Sequence, residues 1–356
     1  MKNLSRKFTV IFLVVCMAFG IVFTGCGKKA AETASTGAES QKNTFQGSSD
    51  ETYYMVTFVS GVDYWVGVYE GFKDAGKQLG VKTVYKGCPE YDINKEVTVF
   101  NQVVAMKPTG IALSPISEDA FNQPIKEAMS QGIKVVTFAS DCPNSERIAY
   151  ITSDNIREGQ YAADALAKSM DGKGEVCVLE NPGQDNHERR VKAFIDRINA
   201  NWPNIKVVGT AATNQDPNKA ATALRTIAQA HPNVKGCFSP EASSGMGAAQ
   251  AAIELNTGIN VICCDVNDSV LDMIKAGKMF GAIQPNTVSQ GYLSMMSLFI
   301  SVHKLLNPMN DYKASKYEPV AWPVMDNGLN IVNKDNAQYF YLKPFLQGKG
   351  SKGVEE

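Results

Sequence analysis

Residues 53–85 read YYMVTFVSGVDYWVGVYEGFKDAGKQLGVKTVY. Met55 to Val59 is a short run of apolar and β-branched residues, which predicts a strand. Trp65 to Leu79 predicts a helix, and Gly80 supplies the residue that can turn left-handed and stop it. Val81 to Tyr85 predicts the next strand. A strand, a helix and a strand in so short a span make one parallel crossover unit, and the rest of the chain extends that unit.

The same rhythm runs downstream. A helix is expected from about Asn94 to Met106, before Pro108, then a strand from Gly110 to Leu113. Ser117, with Glu118 and Asp119 behind it, predicts an N-cap opening a helix that ends at Gly132. Ile133 to Phe138 and Ala149 to Thr152 follow as strands. The pattern then restarts. Helices are expected at Ile156–Met170, Asn186–Asn201 and from Pro217 to Ala230, with later ones starting near Ser243 and Asp268. Strands are expected at Gly174–Leu179, Ile205–Thr210, Val234–Phe238, Ile259–Cys264 and Phe280–Ile283. Thr287 to Leu306 reads as one long helix, and Leu329 to Val332 as a strand in the tail. Two successive α/β units, each with a parallel sheet covered by helices on both faces, are the expected architecture.

The termini carry a different signal. Lys2, Arg6 and Lys7 precede an apolar run from Phe8 to Phe23, suited to the core of an export signal and short for a membrane span. The run ends at Thr24-Gly25-Cys26, which resembles the lipobox of bacterial lipoproteins. That resemblance implies cleavage before Cys26, a diacylglyceryl group on it, and residence on the outer face of the cell membrane. Residues 27–52 are small and polar, and predict a flexible tether.

Composition excludes several classes. A formal net charge of -1 and three histidines leave no electrostatic footprint for nucleic acid. Cys88, Cys142, Cys177, Cys237, Cys263 and Cys264 have no metal-ligand spacing and most fall at the ends of apolar strands, so no metal or cofactor is expected. A Cys88–Cys142 bridge is the one pairing worth testing. Gly245-Met246-Gly247 begins a dinucleotide fingerprint, but Gln250 stands at its third glycine. Neither a phosphate-binding loop nor a nucleophile elbow is present, and the chain is read as a binder and not an enzyme.

Ligands of doubly wound folds bind beyond the carboxyl ends of the strands. The turns there hold Asp63, Tyr64 and Trp65, then Ser140 and Asp141, then Asn181, Asn186 and Arg190. Further on come Gln215, Glu241, Asp265 and Gln284. Carboxylates, amides and a guanidinium pair with sugar hydroxyls, and aromatic rings cover the C–H faces of a sugar.

These stretches resemble the ribose-binding-protein-like solute-binding proteins of sugar ABC transporters. The match rests on Asp63-Tyr64-Trp65 before Gly71-Phe72, on Val135 to Asp141, and on Ile151 to Asn155. Glu188-Arg189-Arg190, Ala248-Ala249-Gln250-Ala251 and Gly281-Ala282-Ile283-Gln284 extend it. The resemblance implies two Rossmann-like lobes joined by a three-stranded hinge, closing like a flytrap on a ligand. One lobe would hold residues 53–153 and 286–318, the other 154–285 and 319–345. It also implies that Tyr64 and Trp65 sandwich the sugar, that Arg190 reaches its oxygens, and that Asp265 accepts hydroxyl protons.

This chain departs from the family at Val62, where asparagine is common, and at Ala139, where aspartate is common, so that Asp141 stands in for it. Glu241 replaces a frequent asparagine, Gln215 a frequent aromatic, and Gln284 is offset by one beside Pro285. The turn Tyr85 to Pro89 is similar to that of relatives binding rhamnose or furanosyl signals. The expectation is a monomeric, lipid-anchored protein that passes a monosaccharide or small polyol to an ABC permease. Its alternative is a sensor that presents the ligand to a membrane receptor.

Overall fold

A computed structural model describes residues 45–305 and 323–342. The expected export segment with Cys16 and Cys26, the tether as far as residue 44, the end of the long helix at Leu306, residues 307–322 and the tail beyond 342 lie outside the described residues.

The first α/β unit runs β1 (Thr52–Thr57), α1 (Asp63–Leu79), β2 (Lys82–Gly87), α2 (Ile93–Ala105), β3 (Gly110–Ser114), α3 (Asn122–Ser130), β4 (Lys134–Phe138) and β5 (Tyr150–Thr152). The second runs α4 (Asn155–Ser169), β6 (Gly174–Glu180), α5 (Asp185–Asn201), β7 (Ile205–Ala212), α6 (Pro217–Ala230), β8 (Val234–Ser239), α7 (Ala242–Leu255), β9 (Asn260–Cys264), α8 (Asp268–Lys275) and β10 (Gly281–Pro285). The chain then passes through α9 (Thr287–His303), β11 (Val324–Asp326) and β12 (Leu329–Val332).

The two sheets have one strand order. The first is β11-β5-β4-β3-β1-β2, and the second is β12-β10-β9-β8-β6-β7. All neighbours are parallel except β10 and β12. Central strands such as β3 and β10 are buried at every position, as strands covered on both faces must be. The expected α/β fold of two Rossmann-like, flytrap-type lobes is therefore present, each with its chain reversal between its first and third strands.

Local chemistry sets most boundaries. Gly80 caps α1 in the left-handed conformation, Asp92, Asp154 and Asp216 cap α2, α4 and α6 through their carboxylates, and Pro217 opens α6. Ser117 behaves otherwise than expected. Its hydroxyl accepts from Ala120 N at 3.3 Å and closes a single turn, and α3 begins only at Asn122. Pro124, which has no N–H to give, then falls within the first turn of α3. The end of the expected tether is also docked. Gly47 N donates to Leu79 O at 2.7 Å, and Glu51 accepts from Tyr53 and pairs with His303.

Two pieces of the tail divide between the sheets. The whole of 319–345 was expected in the second lobe, but β11 pairs with β5 in the first sheet while β12 pairs with β10 in the second. A three-residue strand is too short to show a period, which is why β11 has no sequence signal. Helix α9 returns to the first unit, where Met295, Leu298 and Phe299 join Tyr53, Val68 and Phe72 in one core. It lies so close to α1 that a Cβ on Gly71 would overlap the Val288 carbonyl, and one on Gly291 the Val68 carbonyl. All six described cysteines are buried and free, so no bridge joins Cys88 to Cys142.

Two tests follow from the packing. Gly291→Ala forces α9 away from α1 and should cost about 1–3 kcal/mol, measured by denaturant unfolding. Glu96 is fully buried; its Oε2 accepts from Ile116 N at 2.9 Å, its Oε1 has no partner, and burial pushes its carboxyl up to about 8. The folded chain holds this proton between the usual 4.5 and about 8, where the unfolded chain releases it, so this contribution to stability is lost as pH rises through that window. At about 1.4 kcal/mol per pKa unit the loss reaches at most about 5 kcal/mol. Melting curves from pH 5 to pH 9 should therefore fall less for Glu96→Gln than for the unaltered protein.

Candidate functional site

Between the carboxyl ends of the two sheets lies a cleft of about 1620 Å³. Its walls are the β1–α1, β2–α2, β3–α3 and β4–β5 connections on one side, and the β6–α5 and β7–α6 connections on the other. A second hollow of about 520 Å³ around Lys107 and Gln131 sits at the opposite ends of β3 and β4 and gathers no comparable set of side chains.

Next to the lining residues Ser153 and His187, the second unit holds a buried charged cluster. Arg190, on the buried face of α5, is 4% exposed. Its Nε donates to Glu158, its Nη1 donates to Pro240 O at 3.0 Å, and the same nitrogen lies 3.7 Å from Asp265 Oδ2. Glu158 comes from α4, is fully buried, and also accepts from Ser153 Oγ. Gly159 lets α4 and α5 meet closely at the Arg190 carbonyl, which places the two charges face to face. These carboxylates hold the Arg190 guanidinium firmly cationic against the cost of burial.

Asp265 follows β9 with a positive φ of 65°, a conformation in which a non-glycine residue is strained. Burial raises its carboxyl to about 7, against the pull of Arg190 and with the nearby Glu158 and Glu241. Its Oδ1 is buried without a hydrogen-bond partner. Ala139 and Gln215, with φ of 59° and 61°, repeat this strained geometry just beyond β4 and β7.

The first unit contributes aromatic rings. Tyr64 lies within the field of Asp265, Arg190 and Glu158, and burial drives its phenol well above the usual value. Its hydroxyl donates to Gln290 Oε1 at 2.9 Å. Trp65 is buried among Phe58, Tyr64 and Phe138, all edge-on at centroid distances of 5.2, 5.0 and 5.8 Å. Its Nε1 has no partner. The Tyr64 and Trp65 rings stand at 84° to each other, not parallel with a gap between them.

The remaining candidates divide. Glu241 is near Asp265, but its two carboxylate oxygens accept from Ser243 N and Ser244 N at 2.5 and 2.8 Å and cap α7. Gln284 accepts from Val266 N at 2.7 Å and donates to Pro285 O at 2.9 Å, bracing the Asp265 loop. Asp141 lines the cleft, yet its carboxylate is occupied by Thr137, Cys142 N and an ion pair with Arg147. Gln215 is exposed on the cleft wall, with its N–H donating to Asn181 Oδ1 at 2.9 Å. Tyr64, Arg190, Asp265 and Glu241 thus converge, while Asp141 and Gln215 stand further out.

Sequence reading missed Glu158, His187, Tyr91 and Gln290. Glu158 had a visible signal, since it shares the buried stripe of α4 with Ala162, Ala163 and Leu166. His187 Nδ1 accepts from Asn181 Nδ2 at 3.1 Å, and burial beside Arg190 keeps the imidazole neutral. Tyr91 receives a hydrogen bond from Gln184 Nε2 at 2.8 Å, so the two walls touch across the mouth. Among the described residues no group of three His, Cys, Asp or Glu side chains is placed to hold a metal ion.

Comparison with known proteins agrees with this geometry. Residues 53–301 match the periplasmic binding protein domain family. The chain is 25% identical over 251 residues to the D-allose-binding periplasmic protein of Escherichia coli, covering 67% of this chain and 80% of that one. Among solved structures, an arabinose binding protein from Geobacillus stearothermophilus superposes with a TM-score of 0.77 at 35% identity, covering 82% of this chain and 99% of the other. A sugar-binding protein of a sugar ABC transporter from Bacillus halodurans gives 0.78 at 32% identity, covering 82% and 100%. The matched span, the paired sheets and the cleft between them together place this chain in the periplasmic binding protein family.

Proposed function

We propose that this chain is an extracytoplasmic, lipid-anchored solute-binding protein that closes on a monosaccharide or small polyol and delivers it to an ABC permease. The single observation that carries the reading is a pair of unsatisfied buried polar atoms, one of them in the charged cluster. Asp265 Oδ1 and Trp65 Nε1 are buried without partners, one from each unit, and Asp265 lies beside Arg190, which is paired with Glu158. Buried polar groups left unpaired cost about 1–3 kcal/mol each, a cost that a hydroxyl-rich ligand removes. The ligands named for the relatives, allose and arabinose, are such molecules.

In this mechanism Arg190 donates to ring and hydroxyl oxygens, Asp265 accepts hydroxyl protons, and Tyr64 and Trp65 cover the apolar face of the sugar. Contacts to both units exist together only when the cleft is shut, so the ligand favours the closed form. A micromolar complex needs about 8 kcal/mol net. The acyl group on Cys26 keeps the protein beside its permease, and two acyl chains hold where one is only reversibly bound.

The test is a thermal-shift and calorimetric screen of the soluble chain from Glu51 against aldopentoses, aldohexoses and polyols. A ligand at 100 times its Kd adds about 2.7 kcal/mol of stability and raises Tm. Trp65→Phe and Asp265→Asn should each weaken the best binder at least about tenfold; hits indifferent to both, or no hit, sink the assignment.

Binding should also depend on pH with a defined sign. A hydroxyl donating to Asp265 prefers the ionised carboxylate, so the ligand lowers a pKa that is about 7 in the free protein. Affinity should then rise with pH up to about 7, by as much as about tenfold per unit, and level off above it. Titration calorimetry of Asp265→Asn should give a flat profile.

A further inference from the structure

The cleft is joined to the hinge by an unbroken chain of buried hydrogen bonds. The units are linked at three crossovers, β5 to α4, β10 to α9 and β11 to β12. Asn327 N donates to Thr152 O at 3.1 Å, tying the third crossover to the first. Asn286 N donates to Gly328 O at 3.0 Å, and Asn327 Nδ2 donates to Asn286 O at 3.0 Å, tying the third to the second. Gln290, in the first turns of α9 and fully buried, joins all of these. Its Nε2 donates to Ile151 O and to Asn327 Oδ1, both at 3.3 Å, and its Oε1 accepts from the Tyr64 hydroxyl at 2.9 Å.

The chemistry leaves this carboxamide one orientation. Two acceptors, a carbonyl and an amide oxygen, face its nitrogen, so turning it over would set oxygen against oxygen on that side. The acceptor end must then face Tyr64, whose hydroxyl has a proton to give. Every donor and acceptor of Gln290 is used, and none can move alone without leaving a buried group unpaired. Tyr64 also stands within the field of Arg190, Glu158 and Asp265.

We propose that the Tyr64 hydroxyl and the Gln290 carboxamide form a relay through which ordering of Tyr64 in the cleft sets the mutual packing of the three crossovers. Gln290 is in this sense a positioning residue for closure, acting through Tyr64 and Asn327. The proposal rests on the reading of the cleft as the ligand site, and it adds how occupancy of that site reaches the hinge. Its physical basis is that the Tyr64 hydroxyl proton is committed to Gln290 at the hinge, while the ring and the oxygen lone pairs are left to meet a ligand.

The experiment is hydrogen exchange at the Asn286 and Asn327 amides, which bond across the crossovers, in the soluble chain with and without saturating arabinose. Tyr64→Phe keeps the ring and removes only the hydroxyl. It should speed exchange at both amides by roughly three- to tenfold without sugar, relative to the amides of β6, and reduce the protection that arabinose confers on them. Gln290→Glu keeps the acceptor for Tyr64 but removes both donors, and should speed exchange at the same amides. Unchanged exchange in Tyr64→Phe overturns the relay. A response in Gln290→Glu alone also overturns it, because Gln290 would then fasten the hinge with no link to the cleft. If arabinose leaves the unaltered protein unprotected, the assignment of this sugar falls, and the sugar-free comparison still decides the relay.

Discussion

A guanidinium moved from water into a protein interior loses several kcal/mol of solvation unless a carboxylate and further acceptors meet it there. Arg190 is in that position, and Glu158, Asp265 and the Pro240 carbonyl meet it. Much of the second unit is arranged around this requirement. Gly159 permits the close approach of α4 and α5, the buried stripe of α4 gives one of its places to a carboxylate, and the strained turn at Asp265 brings in the second. Removing either carboxylate leaves a buried charge short of compensation. The cluster is thereby locked in geometry before any ligand arrives, which is the property a selective polar site needs.

The two sheets supply the frame for that cluster. Because both reverse their chain direction at the same place in the strand order, their loop-bearing ends can face each other across one gap. The rings of the first unit and the charges of the second then meet, although Tyr64 and Arg190 are far apart in sequence. Tyr91 and Gln184 touch at the mouth, and the three crossovers are stitched together at the back. The cleft is bounded on both sides by polar contacts, solvent-exposed at the mouth and largely buried at the hinge.

The repeated β/α rhythm was legible because parallel strands buried on both faces are continuously apolar and helices carry a 3.6-residue stripe. Gly80 and Pro217 marked their helix ends by local chemistry alone. Where the signal was short or polar it failed. The three-residue β11 has no period, Ser117 looked like a cap but closed a single turn, and residues 47–51 seemed a tether because their partners lie on α1 and α9.

For the site, strand ends alone placed Tyr64, Arg190, Asp265 and Glu241 on one rim, since a doubly wound fold leaves few other places for polar clusters. What those side chains bond to was not legible. Asp141 faces Arg147, and Glu241 caps its own helix. Glu158 shows in the sequence only as a carboxylate on the apolar stripe of α4, and Gln290 lies in an apolar helix that had no stated role. By itself the sequence determined the alternation of elements and the loops in which polar residues gather, because both are set by neighbours a few residues apart. Only the tertiary structure decided which charges pair, which polar atoms stay unpaired and how the cleft is tied to the hinge. Those depend on contacts between residues distant in sequence, 226 positions apart for Tyr64 and Gln290, and no local pattern encodes them.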